Sequence, residues 1–340
     1  MFRFGVLGVS HFALQKMIPA MQTGGDTTVV AIASRDGARA AQAARALGIA
    51  KAYGSYEELL ADPEVDGVYN PLPNHLHVPW SERAAAAGKH VLVEKPVALG
   101  AAEAQRLLEA RDRHGVVIAE AAMVRVHPRW LAARELIRKG KIGDLTAFVG
   151  TFGYDLPRKD KDKKDNVRYD PNMGGGVLLD VGFYPVTMSR FCFDDEPTAV
   201  IAQMERDSDA GVGAAVDVLT SAMLRFPRGH AVFTCGMHLA PQQRAQILGS
   251  KGHLDLLHAW NPASDQPSQL VVETGGRLEV SAAERIEFPA VDQYTILAQL
   301  FARAAATGGP APIPLEDSIK NMAVLDALRR SAASGRWETV

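Results

Sequence analysis

The chain has 340 residues, about two domains' worth, and its 47% apolar and 22% charged residues exclude a disordered chain. Lys and Arg total 37 against 39 Asp and Glu, and the resulting charge of −2 excludes a bulk electrostatic pull toward nucleic acid or an anionic membrane. Cys192 and Cys235 lie 43 residues apart without metal-type spacing, which argues against a disulfide framework or a structural zinc site. The opening Phe2–Gly8 reads as a strand running into glycine rather than a signal peptide, and no apolar run reaches about 18 uncharged residues. These features predict a cytoplasmic protein.

Short apolar runs alternate with helical segments over the first 120 residues. Strands are predicted at Phe4–Val9, Val29–Ala33, Gly67–Asn70, Val91–Glu94 and Val116–Glu120, and helices at Ala38–Leu47 and Ala101–His114. Strand–helix repetition of this pitch predicts an α/β fold with a doubly wound parallel sheet, a Rossmann domain over 1–122.

After residue 122 the pattern changes. A helix is predicted at Arg129–Arg138 and a strand at Leu145–Phe152, then an eight-residue charged run, Arg158–Asp165, with five positive and three negative charges, read as a solvated loop. A helix follows the glycines at 174–176. Strand-like stretches come next at Thr198–Met204, Val216–Phe226, Ala231–His238, Arg244–Leu248 and Leu270–Glu273. They predict a large, mostly antiparallel open sheet in an α+β domain over 123–340. The tail reads as two helices, Tyr294–Ala306 and Leu315–Ser334, parted by a Gly- and Pro-rich stretch.

The first strand ends in Gly5-Val6-Leu7-Gly8-Val9-Ser10-His11-Phe12-Ala13. Set against GxGxxG/A, Gly8 makes the tight turn, Ser10 is small enough for a backbone–pyrophosphate approach, and Ala13 allows close helix–strand packing. A pyrophosphate is then expected at the helix N-terminus. The second strand ends at Ser34, 21 residues after Ala13, followed by Arg35 and, one turn on, Arg39. A hydroxyl and two guanidinium groups suit a 2′-phosphate, so NADP is predicted over NAD; the nearby Asp36 is a candidate helix cap.

Lys95 ends the fourth strand in His90-Val91-Leu92-Val93-Glu94-Lys95-Pro96, at the carboxyl end where open α/β sheets bind ligands. Pro96 fixes the chain after it, and a cis bond there is expected to aim the lysine.

Together with Asn70-Pro71-Leu72-Pro73-Asn74-His75-Leu76-His77, Ala87–Pro96 and Gly174-Gly175-Gly176-Val177-Leu178-Leu179-Asp180-Val181-Gly182-Phe183-Tyr184, these residues resemble the glucose–fructose oxidoreductase, inositol dehydrogenase and rhizopine-catabolism (GFO/IDH/MocA) family over nearly the whole chain. The resemblance implies a catalytic group of Lys95, Asp180 and Tyr184. On an α-helix Asp180 and Tyr184, at i and i+4, lie about 40° apart on one face. Oxidising an alcohol needs a base for the hydroxyl proton while a hydride goes to the nicotinamide. Tyr184 is the expected acid/base. Lys95 is expected to favour its phenolate and bond the reacting oxygen, and Asp180 to orient substrate and lysine.

The resemblance also implies that Leu72, Pro73, Asn74, His77 and Glu94 line the cofactor with Gly8, Val9, Ser10, His11, Phe12 and Ala13. Arg168 and Tyr294 are expected to reach the cofactor as well, Arg168 with a substrate hydroxyl as its alternative. Tyrosine at 184 and the stretch Glu120–Pro128 resemble the aldose 1-dehydrogenase and dimeric dihydrodiol dehydrogenase branch. Ala122 and Val124 replace that branch's commoner aromatics and are expected to reshape its pocket. The expected activity is NADP-dependent hydride transfer to or from a sugar or polyol ring, with a trans-dihydrodiol or an anhydrofructose-type carbonyl as alternatives and a non-catalytic NADP sensor as a third. No metal is expected, nor a nucleic-acid or membrane partner, and the outer face of the second sheet is expected to pair in a homodimer or larger homo-oligomer.

Overall fold

The computed structural model describes residues 1–156, 166–207, 216–275 and 283–340, so the charged run 158–165 falls outside the described residues. Two compact units account for the chain: residues 1–126 with 292–322, and residues 127–291 with 323–340.

In the first unit six parallel strands stand in the order β3-β2-β1-β4-β5-β6: β1 (Phe2–Leu7), β2 (Thr27–Ala33), β3 (Lys51–Tyr53), β4 (Gly67–Asn70), β5 (His90–Val93) and β6 (Ile118–Glu120). This is the doubly wound order, and its direction of winding reverses between β1 and β4. The helices are α1 (Ile18–Thr23), α2 (Gly37–Leu47), α3 (Tyr56–Leu60), α4 (His77–Ala86) and α5 (Ala101–His114). Their ends follow local chemistry. Asp36 Oδ1 accepts the Ala38 and Arg39 N–H groups to open α2, and Gly48, in the left-handed region, closes it. Strand β3 escaped the sequence reading because Lys-Ala-Tyr is too short to show a period.

The second unit opens with α6 (Pro128–Arg138) and continues into a nine-stranded sheet. It comprises β7 (Leu145–Asp155), β8 (Ala199–Arg206), β9 (Asp217–Phe226), β10 (Gly229–Gly236), β11 (His238–Gly249), β12 (Gly252–Leu257), β13 (Ser268–Thr274), β14 (Glu284–Phe288) and β15 (Glu338–Thr339), in the order β14-β13-β12-β11-β7-β10-β9-β8-β15. Every pair is antiparallel except β7 with β10. Strand β11 runs well beyond its predicted Arg244–Leu248 core; its register shifts between His238 and Gln242, around Pro241, which has no N–H for a ladder. Helix α7 (Phe183–Phe193) is buried along its whole length. Cys192 and Cys235 are free and buried.

The tail divides differently from the expectation that all of 123–340 forms the second domain. Helix α8 (Gln293–Thr307) belongs to the first unit, as does α9 (Leu315–Ser334) up to Met322. The reason is apolar: Phe301 of α8 is fully buried, its ring 5.8 Å from Phe4 and 5.9 Å from Phe2 on β1. Among the described residues no helix is long and apolar enough to cross a membrane.

Candidate active site

The first unit gathers its predicted residues at the carboxyl ends of β1, β2, β4 and β5. After β1 the chain turns at Gly8, whose φ of +94° favours glycine; a Cβ there would sit 3.0 Å from the buried Leu72 side chain. Ser10 Oγ accepts the Ala13 N–H at 3.2 Å, so the serine at the centre of the fingerprint caps the helix start. A π-turn, Ala13–Met17, leads into α1. His11 is exposed, and the Phe12 ring meets Tyr294 of α8 edge-on at 5.5 Å, which brings Tyr294 to the glycine loop. A glycine cradle, a helix start and the β1/β4 reversal together fit a dinucleotide.

At the end of β2, Ser34 is buried and its Oγ accepts the Asp36 N–H at 3.2 Å. Asp36 caps α2 through its Oδ1 oxygen. Arg35 and Arg39 are exposed, with Arg35 beside the Tyr56 phenol; burial raises that phenol's pKa and Arg35 opposes the rise. The strand tip thus offers two exposed cations beside a carboxylate engaged through Oδ1 as a helix cap.

Lys95 follows β5, is half-buried and joins Pro96 through a cis peptide. Its turn is tied on three sides. Glu94 Oε2 accepts the Lys95 N–H at 3.2 Å, while Tyr69 donates to Oε1 at 2.6 Å. Glu120 Oε1, at the end of β6, accepts the Val97 N–H at 2.7 Å. His77 stands with Nδ1 2.7 Å from Pro96 O and Nε2 2.7 Å from Leu72 O. His77 is 1% exposed, so its ring binds the turn after β4 to the Lys95 turn, where the sequence reading placed it against the cofactor. Burial lowers its pKa to about 4 against the pull of the two carbonyls. Glu120, also 1% exposed, is pushed up to about 7 by burial, opposed by the Val97 N–H and the neighbouring Ser318 hydroxyl. Buried Asn70 donates to His77 O and Ser81 Oγ and shapes the chain leading to Pro73 and Asn74. Ala122 and Val124 are fully buried, Val124 within the Met123–Val126 turn that packs on α8.

The second unit holds Asp180 and Tyr184. Asp180 lies in a π-turn, Leu178–Gly182, that leads into α7, so the 40° spacing of a regular α-helix does not carry across the pair. One carboxylate oxygen, Asp180 Oδ2, accepts from Arg168 Nε at 2.7 Å and from the Tyr154 hydroxyl at 2.6 Å. The carboxylate raises the pKa of Arg168; burial, then the same negative charge, raises that of Tyr154. The arginine expected to reach cofactor or substrate therefore engages Asp180. Tyr184 is 4% exposed, its ring 5.4 Å from Phe152, 5.7 Å from Phe183 and 6.2 Å from Trp260. Four carbonyls, of Leu257, His258, Ala259 and Gln269, accept from the buried guanidinium of Arg129, whose neighbour Trp130 stacks on Trp260 at 5.6 Å. That is the floor behind Tyr184.

Sequence reasoning passed over Tyr154 and Asp217 as site residues and placed no role on Glu120. Two of the three carried a signal: Glu120 ends an apolar run and Asp217 stands between Val216 and Val218, where a carboxylate needs a partner. Among the described residues no group of three or more His, Cys, Asp or Glu could hold a metal ion.

Residues 2–122 match an oxidoreductase family with an NAD-binding Rossmann fold, and residues 130–255 match the GFO/IDH/MocA C-terminal domain. An uncharacterized oxidoreductase of Rhizobium meliloti is 44% identical over 339 residues, 99% of each chain. D-xylose 1-dehydrogenase (NADP(+)) 2 of Haloferax volcanii is 35% identical over 333 residues, 98% of each chain. A crystal structure of a 3-ketoreductase from Actinomadura kijaniata, in complex with NADP and TDP-benzene, is similar with a TM-score of 0.88 and 30% identity over 97% of each chain. A glycine cradle on a doubly wound sheet, a strand-end lysine, and an aspartate and tyrosine behind a glycine run are thus set in a chain that belongs to the GFO/IDH/MocA family of oxidoreductases.

Proposed function

We propose that the protein is an NADP-dependent dehydrogenase of a sugar or related polyol, with Lys95, Asp180 and Tyr184 as its catalytic group. The observation that carries the reading is the Lys95 turn, held by Glu94, His77 and Glu120 at the carboxyl end of a strand in the same sheet as the Gly8 cradle. Bound nicotinamide supplies the hydride acceptor or donor. The chain's own groups do the rest. Tyr184 takes or returns the hydroxyl proton, Lys95 hydrogen-bonds the reacting oxygen, and Asp180, anchored by Arg168 and Tyr154, orients the substrate. NADP is favoured because the β2 tip presents the exposed cations Arg35 and Arg39, and Asp36 is turned to capping α2 through Oδ1. The NADP in the names of the xylose dehydrogenase and of the ketoreductase complex supports this choice.

A second reading runs the same chemistry in reverse, reducing a keto group on a nucleotide-linked sugar. The likeness to the 3-ketoreductase over 97% of the chain favours it. The deciding experiment follows nicotinamide absorbance with NADP and NAD over aldoses, inositols and trans-diols, and with NADPH over keto sugars free and nucleotide-linked, with Lys95→Ala as control. Turnover lost in the control supports the reading, and the active substrate chooses between its two forms. Tight NADPH binding with no turnover on any substrate overturns both in favour of a sensor.

A further inference from the structure

We propose that Asp217 is a positioning residue for the catalytic helix, gripping from the start of β9 the chain end that carries Asp180 and Tyr184. The inference rests on the assignment of those two residues above. The π-turn at Leu178–Gly182 begins with backbone N–H groups that need acceptors, and Val177 at its N-cap supplies no side-chain oxygen. Asp217 Oδ2 takes that place, accepting the Leu178 N–H at 2.7 Å and the Thr220 hydroxyl at 2.8 Å. A carboxylate at a helix start is also favoured by the peptide dipoles. Desolvation raises the Asp217 pKa; Thr220, the Leu178 N–H and Arg329 oppose the rise.

The same carboxylate explains the last glycine of the run. Gly176 has φ +103°, and a Cβ built on it would fall on Asp217 Oδ1. Asp180 N–H, in turn, donates to Gly176 O at 3.2 Å. Asp217, Gly176, Leu178 and Asp180 therefore form one chain of contacts, and a shift of the carboxylate reaches Asp180 through two hydrogen bonds. None of these contacts involves the nucleotide-binding unit.

The test compares Asp217→Ala and Asp217→Asn by steady-state kinetics, NADPH binding by fluorescence and amide hydrogen exchange. The expected result for Asp217→Ala is a kcat lower by about 10- to 100-fold, with KM and the NADPH Kd within about twofold of wild type. Asn keeps an acceptor for Leu178, so Asp217→Asn is expected to recover kcat to within about fivefold. Exchange is expected to quicken at residues 178–182 and to stay slow in β1–β6. A kcat for Asp217→Ala within twofold of wild type overturns the proposal, as does an Asp217→Asn variant no better than Asp217→Ala. Should Asp217→Ala fail to fold, Thr220→Val, which removes the other hydrogen bond to Asp217 Oδ2, takes its place: quicker exchange at Leu178 with a kcat lower by a few-fold supports the proposal, and unchanged Leu178 exchange and kcat overturn it. If wild type turns over nothing, the functional reading fails while exchange still decides this one: Leu178 protection lost in Asp217→Ala supports it, and protection retained overturns it.

Discussion

Two helix starts carry the candidate chemistry, and they are built differently. Each follows a glycine in the left-handed region, Gly8 or Gly176, and each contains a π-turn, Ala13–Met17 or Leu178–Gly182. In the first unit the cap is local: Ser10 Oγ serves Ala13, three residues on. In the second it is remote: Leu178 is served by Asp217, 39 residues later in the chain. Asp180 depends likewise on Tyr154 from β7, 26 residues before it. A local cap survives in a short sequence motif and tolerates change elsewhere. A remote cap exposes the site to substitutions on strands that never meet the reacting atoms.

The comparison can be broken most forcefully at Tyr184. Tyr184→Phe is expected to lower kcat by about 10²- to 10⁴-fold while the NADPH Kd stays near wild type, because only the hydroxyl proposed to carry the proton is removed. Stopped-flow turnover beside fluorescence titration reads both; full kcat in the variant removes Tyr184 from the mechanism.

The first unit has remote ties of its own, and pH exposes them. Glu120 has a folded pKa of about 7 against 4.5 unfolded, so the folded state holds the extra proton and stability is lost as pH rises from 4.5 through 7. His77 has a folded pKa of about 4 against 6.5, so the unfolded state holds the extra proton and stability is lost as pH falls from 6.5 toward 4. Between pH 4.5 and 6.5 the two slopes offset. Glu120→Gln is expected to gain stability relative to wild type across pH 4.5 to 7, by up to about 3 kcal/mol at the alkaline end. Urea unfolding at several pH values measures this, and a difference constant with pH rejects the assignment.

A smaller effect tests the β2 tip. Replacing Arg35 and Arg39 together with Ala is expected to raise KM for NADP about tenfold, through loss of charge-assisted phosphate contacts, and to leave KM for NAD nearly unchanged. Equal loss for both cofactors would show that the arginines do not read the 2′-phosphate. The smallest expected effect is at the local cap. Ser10→Ala should cost about 1 kcal/mol, read as a slightly lower Tm and a few-fold weaker NADPH binding, with kcat kept. A loss of kcat matching that of Asp217→Ala would erase the contrast between the two helix starts.

Much of the first unit was legible in the sequence. Gly67–Asn70 and Ala101–His114 match their strand and helix to the residue, since apolar runs bounded by charge and glycine are local signals. The glycine loop and the strand-end place of Lys95 were legible for the same reason. His77 was not, because nothing near it in sequence says that its ring nitrogens meet the carbonyls of Leu72 and Pro96. Nor was Arg168, whose partner Asp180 depends on how the chain folds back. Strand β12, inside the sheet, and strand β14, at its edge, went unread because Gly-His-Leu-Asp-Leu-Leu and Glu-Arg-Ile-Glu-Phe carry their polar residues on a half-solvated sheet face.

By itself the sequence determined the fold class and the glycine cradle, which follow from spacing within short segments, and through its resemblance the family. Only the tertiary structure decided that helix α8 joins the first unit through Phe301, that His77 and Glu120 clamp the turn after Lys95, and that Tyr154, Arg168 and Asp217 brace the aspartate-bearing turn. Those are contacts between residues far apart in the chain. Phe301 is held by apolar burial, the polar contacts by the cost of leaving a buried polar group unpaired, and no local pattern records which partner the fold delivers.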